Sequence, residues 1–183
     1  MEFNEHWGLK DKHAFLSPSQ YHWVNYTFDK LEDKFKGEEM KRRGTELHEF
    51  ASMAIKLNRK LPKNSDTVNM FVNDALGYSM VSEQPLYYSD NCFGTADAIS
   101  FNRNLLRIHD LKTGQTPASM IQLMVYAALF CLEYVKDPRS IKIELRIYQF
   151  NDITVYVPDP EEIQNLMNII VDFDKHIEEM KQL

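Results

Sequence analysis

The chain has 183 residues, 44% of them hydrophobic, enough for one domain with a real core and too few for two comfortable ones. Its net charge of −6 excludes a protein that coats nucleic acid by bulk electrostatics, because phosphate affinity comes mainly from clustered Lys and Arg; a local basic patch with bound cations stays open. Cys92 and Cys131 lie far apart and form no CxxC pair, which excludes a cysteine zinc site or a four-cysteine iron–sulfur cluster within one chain.

In chain order, "LSPSQYHWVNYTFDKLEDKF" opens with Ser17 as an N-cap and Pro18 at the first helical position. It predicts a helix to Phe35 that Gly37 ends. A second helix, from about Glu38 to Arg59, places Met40, Gly44, Leu47, Ala51 and Ile55 on one face. After the turn "LPKNSD", Ser65 or Asp66 caps a third helix, "TVNMFVNDALGY", which Gly77 terminates. "MVSEQPLYY", "FGTADAISF" and "LLRIHDL" read as three strands, antiparallel because only "SDN" and "NRN" separate them. "PASMIQLMVYAALFCLEYV" is apolar on nearly every side and predicts a helix buried against the sheet. "IKIELRIYQF" and "ITVYVP" alternate at period two around the hairpin signal Asn151-Asp152, and from about Asp159 a last helix aligns Ile163, Leu166, Met167, Ile170 and Ile177. These elements make an α/β (α+β) chain, expected to be a single domain over residues 1–183. The N-terminus lacks the cationic and apolar regions of a signal peptide, and Gln122 and Tyr126 interrupt the longest apolar stretch. No membrane span and a cytoplasmic location are therefore expected.

Four stretches do not suit a core. Alternation puts Gly94, Ala96 and Ala98 on one face of the second strand and Asp97 with Ile99 on the other; on the third, Asp110 shares a face with Leu106 and Ile108. If the two strands form a hairpin, Asp97 and Asp110 come close, and paired carboxylates repel unless a cation sits between them. Lys112 continues the Asp110 face. On the buried helix Ser119, Gln122, Tyr126 and Glu133 form a polar stripe expected to face the two aspartates. In "RRGTELHEF", His48 stands one turn after Gly44 at the edge of a buried face, where it would add a nitrogen to an oxygen-rich metal site. Each piece alone has an ordinary explanation: a surface ion pair, a capping carboxylate, a satisfied core group.

Together and in order, "GTELH", "GTAD", "DLKTG" and "QLMVY" resemble the signature of the PD-(D/E)XK nuclease superfamily, closest to its RecB-like branch; "LSPSQYHW" resembles that branch's opening. The resemblance covers roughly residues 16 to 150. It implies a restriction-endonuclease-like core with a central mixed β-sheet of about five strands flanked by helices. It also implies a metal-dependent DNA nuclease acting in recombination, repair or processing, probing ends as an exonuclease would. By that resemblance His48, Asp97 and Asp110 would be metal ligands with the backbone carbonyl of Leu111, holding one or two Mg²⁺ or Mn²⁺ ions. Lys112 would be the catalytic lysine, and Gln122 and Tyr126 would support the site and contact the substrate backbone, with Glu83 a carboxylate behind the ligands. The chain would be a stand-alone member without an iron–sulfur cluster, of the kind phages and mobile elements encode, working on DNA in the host cytoplasm with a recombination partner protein.

The basic run before His48, with Arg42 and Arg43, would flank the DNA, and Tyr21, Trp23 and Tyr26 would stack on bases or fill a core. The competing expectations are a nucleic-acid-binding or protein-interaction module that keeps this fold without turnover, and a different metal hydrolase with a similar cradle.

Overall fold

The computed structural model of the chain describes Gly8 and residues 14–182. Contacts divide it into two units, one up to Arg43 and one from Gly44 onward.

In the first unit, Pro18–Asn25 form a 3₁₀ segment rather than the start of a long α-helix. Gln20 is non-helical and Tyr26 is extended, with φ −78° and ψ 142°. The aromatic run explains the failure, since three ring side chains within six residues lose rotamer freedom against the preceding helical turn and so disfavour the helix. The α-helix starts afresh after Thr27, whose hydroxyl accepts the Lys30 N–H at 3.3 Å as an N-cap. This helix, α1 (Phe28–Lys56), runs straight through Gly37. A Cβ at Gly37 would meet nothing within 4 Å, and its flanking Lys and Glu are strong helix formers, so the roughly 1 kcal/mol propensity deficit of one glycine is absorbed. Met40 is exposed, not on a buried face.

In the second unit, five strands lie in the order β1 (Val81–Ser89), β2 (Cys92–Asn102), β3 (Leu105–Leu111), β4 (Lys142–Gln149), β5 (Asp152–Tyr156). All neighbours are antiparallel except β3 and β4, which are parallel. The parallel pair demands a crossover, and α3 (Ile121–Glu133) supplies it. The fold is therefore α+β with a five-stranded mixed sheet flanked by helices. Pro85 sits in β1, an edge strand, where a missing N–H is tolerated.

Helix α3 and the apolar stripe of α4 (Pro160–Met180) cover one face, with Leu86, Ile99, Leu106, Ile108 and Leu145 beneath them. Asp159 and Glu162 close a capping box that starts α4 at its expected residue. The other face buries Ala98, Leu111 and Tyr148 under the end of α1 and α2 (Thr67–Gly77). Leu47, expected in that face, is 39% exposed; the buried α1 positions are Gly44, Ala51, Ser52, Ala54 and Ile55.

Helix ends are closed without glycine. The N–H groups of Arg59, Met80 and Lys136 return to the carbonyls of Ala54, Ala75 and Cys131, the six-to-one bond of a Schellman motif. The residue before each, Asn58, Ser79 or Val135, has positive φ. Ser79, not Gly77, thus performs the termination of α2. Val135 is the costly choice, β-branched, left-handed at φ 50° and 89% exposed. Val135→Gly is expected to stabilise the protein by about 0.5–1 kcal/mol, read as a higher urea midpoint at unchanged m-value.

The β4–β5 loop is Phe150–Asn151, one residue earlier than the Asn151-Asp152 signal suggests, since Gln149 pairs with Asp152 across it. Both residues have positive φ, 55° and 57°, as a two-residue type I′ turn requires. Asparagine suits that backbone; a phenylalanine there carries strain of about 1–2 kcal/mol.

Candidate metal centre

β2 and β3 pair with Ala98 opposite His109 and Ile99 opposite Ile108, so continuing the register places Asp97 opposite Asp110. Strict alternation does not survive along β2. Ala96 packs with Leu86 in the core under α3, whereas Ala98 packs in the core under α1 and α2. The strand turns over at Asp97, and β1 does so at Glu83, which lies between the pairs Ser82–Ala98 and Gln84–Ala96. Glu83 takes φ 52°, left-handed backbone inside a strand. Strain of this kind persists only where the surroundings enforce it, and here it brings Glu83 beside Asp97.

Among the described residues, one group offers three ligand atoms within 4.8 Å of one another: His48, Glu83 and Asp97. His48 Nδ1 lies 3.4 Å from Asp97 Oδ2, and the Asp97 carboxylate raises the imidazole above its usual range. Asp97 Oδ2 also accepts the N–H of Leu111 at 2.8 Å. Burial, then the Asp97 charge, raises Glu83. Sequence reasoning put Glu83 behind the ligands; the structure brings its carboxylate into ligand range. No periodicity signals this, because the approach depends on one residue's φ.

Asp110 is 3% exposed. Burial first and the Asp97 carboxylate second push its carboxyl up to about 6. Its Oδ2 lies 3.0 Å from Lys112 Nζ, off the hydrogen-bond direction, and has no hydrogen-bond partner. Lys112 Nζ donates instead to Gln122 Oε1 at 2.8 Å, and Gln122 Nε2 donates to the Tyr126 hydroxyl at 3.4 Å. "DLK" on β3 and "QLMVY" on α3 therefore meet in one chain of contacts.

Two glycines make room for these approaches. A Cβ at Gly94 would stand 2.9 Å from Tyr126 Cε1, and one at Gly44 would stand 2.7 Å from Thr113 Oγ1. Both are the leading glycines of "GTAD" and "GTELH". Their reason is proximity, since no glycine among the described residues has positive φ.

The polar stripe of α3 is shorter than expected. Ser119 accepts the Ile121 N–H at 3.3 Å, and Glu133 Oε2 accepts the N–H of Tyr87 on the outer side of β1 at 2.9 Å. Only Gln122 and Tyr126 reach the Lys112 chain.

The basic run on α1 is largely met by its own helix: Lys36, Lys41 and Arg42 pair with Glu32, Glu38 and Glu39 one turn away. Arg43 is exposed. Trp23 is held by a bond from its Nε1 to the Ser17 carbonyl at 2.8 Å, and Tyr21 is 62% exposed.

The donor set suits a hard divalent ion: carboxylate oxygens, one imidazole nitrogen, and beside them the buried Asp110 carboxylate, ion-paired with Lys112. Both cysteines are free thiols, and among the described residues no helix is long and apolar enough to cross a membrane. No family model matches the chain, and no solved structure gives a significant match.

Proposed function

We propose that the chain is a metal-dependent nuclease that hydrolyses phosphodiester bonds in DNA, working as an exonuclease of the PD-(D/E)XK, RecB-like kind. The observation that carries this reading is the contact chain Asp110–Lys112–Gln122–Tyr126 standing beside the His48, Glu83 and Asp97 ligand atoms. Two neighbouring carboxylates, Asp97 and the buried Asp110, have little structural use, because only Asp110 is offset by an ion pair, to Lys112, and burying a charge pair costs desolvation that the pair does not reliably repay. These carboxylates and His48 would hold a Mg²⁺ or Mn²⁺ ion, which would supply an activated water and neutralise charge at the scissile phosphate.

The chain's own groups have distinct parts. Asp97 fixes the end of β3 through Leu111 N–H while facing His48. Gln122 accepts from the Lys112 ammonium and is itself held by donating to the Tyr126 hydroxyl, so the positive charge is aimed before substrate arrives. Without metal, Asp110 gains a proton as pH falls through about 6, so the proton competes with the cation and Mn²⁺ affinity should fall on the acid side of that value.

Linear duplex, covalently closed circular duplex and single-stranded DNA, each incubated with the protein in Mg²⁺, Mn²⁺ or EDTA, test the reading. Loss of linear but not circular DNA, only with metal, is expected. Cutting of circles would make the enzyme an endonuclease, and inert protein that still binds DNA would favour the binding-module alternative. Lys112→Ala is expected to cut the rate about 100-fold or more while leaving the Mn²⁺ affinity, measured by calorimetry, within a few-fold.

A further inference from the structure

Phe150 is held in a backbone that favours asparagine or glycine, and packing does not account for the choice. Its ring is 55% exposed at the tip of the β4–β5 hairpin. Phe50 on α1 is 51% exposed, and Leu47 one turn before it is 39% exposed. These three side chains line one cleft of about 390 Å³ whose wall also includes Lys112, Thr113 and Gly114. The cleft is thus continuous with the candidate centre, sharing its lysine.

The cleft is anchored rather than accidental. Gln149 beneath the hairpin tip donates to the carbonyls of Gly114 and Thr116 at 2.9 and 2.8 Å and accepts from Ala118 N–H at 3.0 Å. Asn151 at the tip accepts from Thr67 N–H at the start of α2, at 3.2 Å. The hairpin tip that carries Phe150 is therefore fixed against both the segment after β3 and the helix bordering the cleft.

We propose that this cleft is a stacking subsite for an unpaired nucleobase of the strand being cut, which makes single-stranded or frayed DNA ends the substrate class. The inference rests on the nuclease reading of the adjacent centre. A strand whose phosphate lies at Lys112 carries its next bases past this cleft, and phenyl faces accept any base because every base has a π-face. Bases inside a duplex are already stacked and must be extruded to reach such rings, so the subsite selects strands that are already open.

Fluorescence anisotropy in Ca²⁺ tests this with labelled oligothymidylate, an abasic strand of the same length and charge, and a blunt duplex. Oligothymidylate is expected to bind about 10-fold tighter than the abasic strand, within the range base stacking provides. Phe150→Asn is expected to bring that ratio close to one while raising the melting temperature, since it relieves the turn; Phe150→Trp is expected to keep the ratio. The opposed shifts in binding and melting separate a ligand contact from a folding role. Equal affinity of wild type for the two single strands, or an undiminished ratio in Phe150→Asn, would overturn the subsite while leaving the nuclease reading standing. Failure of all three DNAs to bind would overturn that reading and the subsite together.

Discussion

Asp110→Asn is expected to lower turnover by at least about 10³-fold and, at pH 8 in EDTA, to stabilise the fold by up to about 3 kcal/mol. The two effects share one cause. Asp110 is buried beside a second carboxylate, and its carboxyl is raised from the ordinary 3.8 to about 6. The native state therefore binds this proton more tightly than the unfolded chain does. The stability it lends is complete below the unfolded value and is lost as pH rises through the folded one. Asparagine is neutral throughout, so the gain over wild type should shrink to about half at pH 5. Urea denaturation of both proteins at the two pH values checks this. A destabilised variant at pH 8 would mean that Lys112 holds the carboxylate more strongly than burial and Asp97 oppose it.

Asp97→Ala is expected to lose turnover as completely but to move stability the other way. Asp97 Oδ2 is the partner of the Leu111 N–H, and an orphaned backbone donor in a half-buried position costs about 1–3 kcal/mol. At this chain length that corresponds to a melting temperature lower by roughly 3–8 °C. Asp97→Asn keeps an acceptor oxygen for Leu111 and so should regain most of the lost melting temperature without regaining turnover. Thermal unfolding beside a single-turnover cleavage assay separates the two roles. If Asn and Ala melted alike, the Leu111 bond would contribute nothing measurable.

Much of the architecture was legible because it rests on short-range patterning. The β3 strand lies where "LLRIHDL" predicts it, and α4 starts at the Asp159 capping box. What escaped depends on competition between distant groups. Gly37 reads as a stop, yet strong helix formers on both sides carry α1 through it. Leu47 and Met40 fit a helical stripe but face solvent, since only the last two turns of α1 are covered by a core cluster. At the candidate site, the pairing of "DLK" with "QLMVY" followed from strand end and helix start. The ligand-range approach of Glu83 did not, because it needs a left-handed residue that reverses β1. Glu133 belonged to the α3 stripe by spacing and was drawn off by an unpaired backbone group on the edge strand.

Pro85 and Glu133 also govern how copies of this chain can meet. An edge strand recruits another chain through its row of outward N–H and C=O groups. On β1 the N–H of Tyr87 is already on Glu133, and Pro85, two residues earlier and so on the same side, has none to give. Two successive outward donors are missing from the template. Growth of the sheet from chain to chain is hindered along this stretch of β1, and among the described residues the other border is the short β5, Asp152–Tyr156.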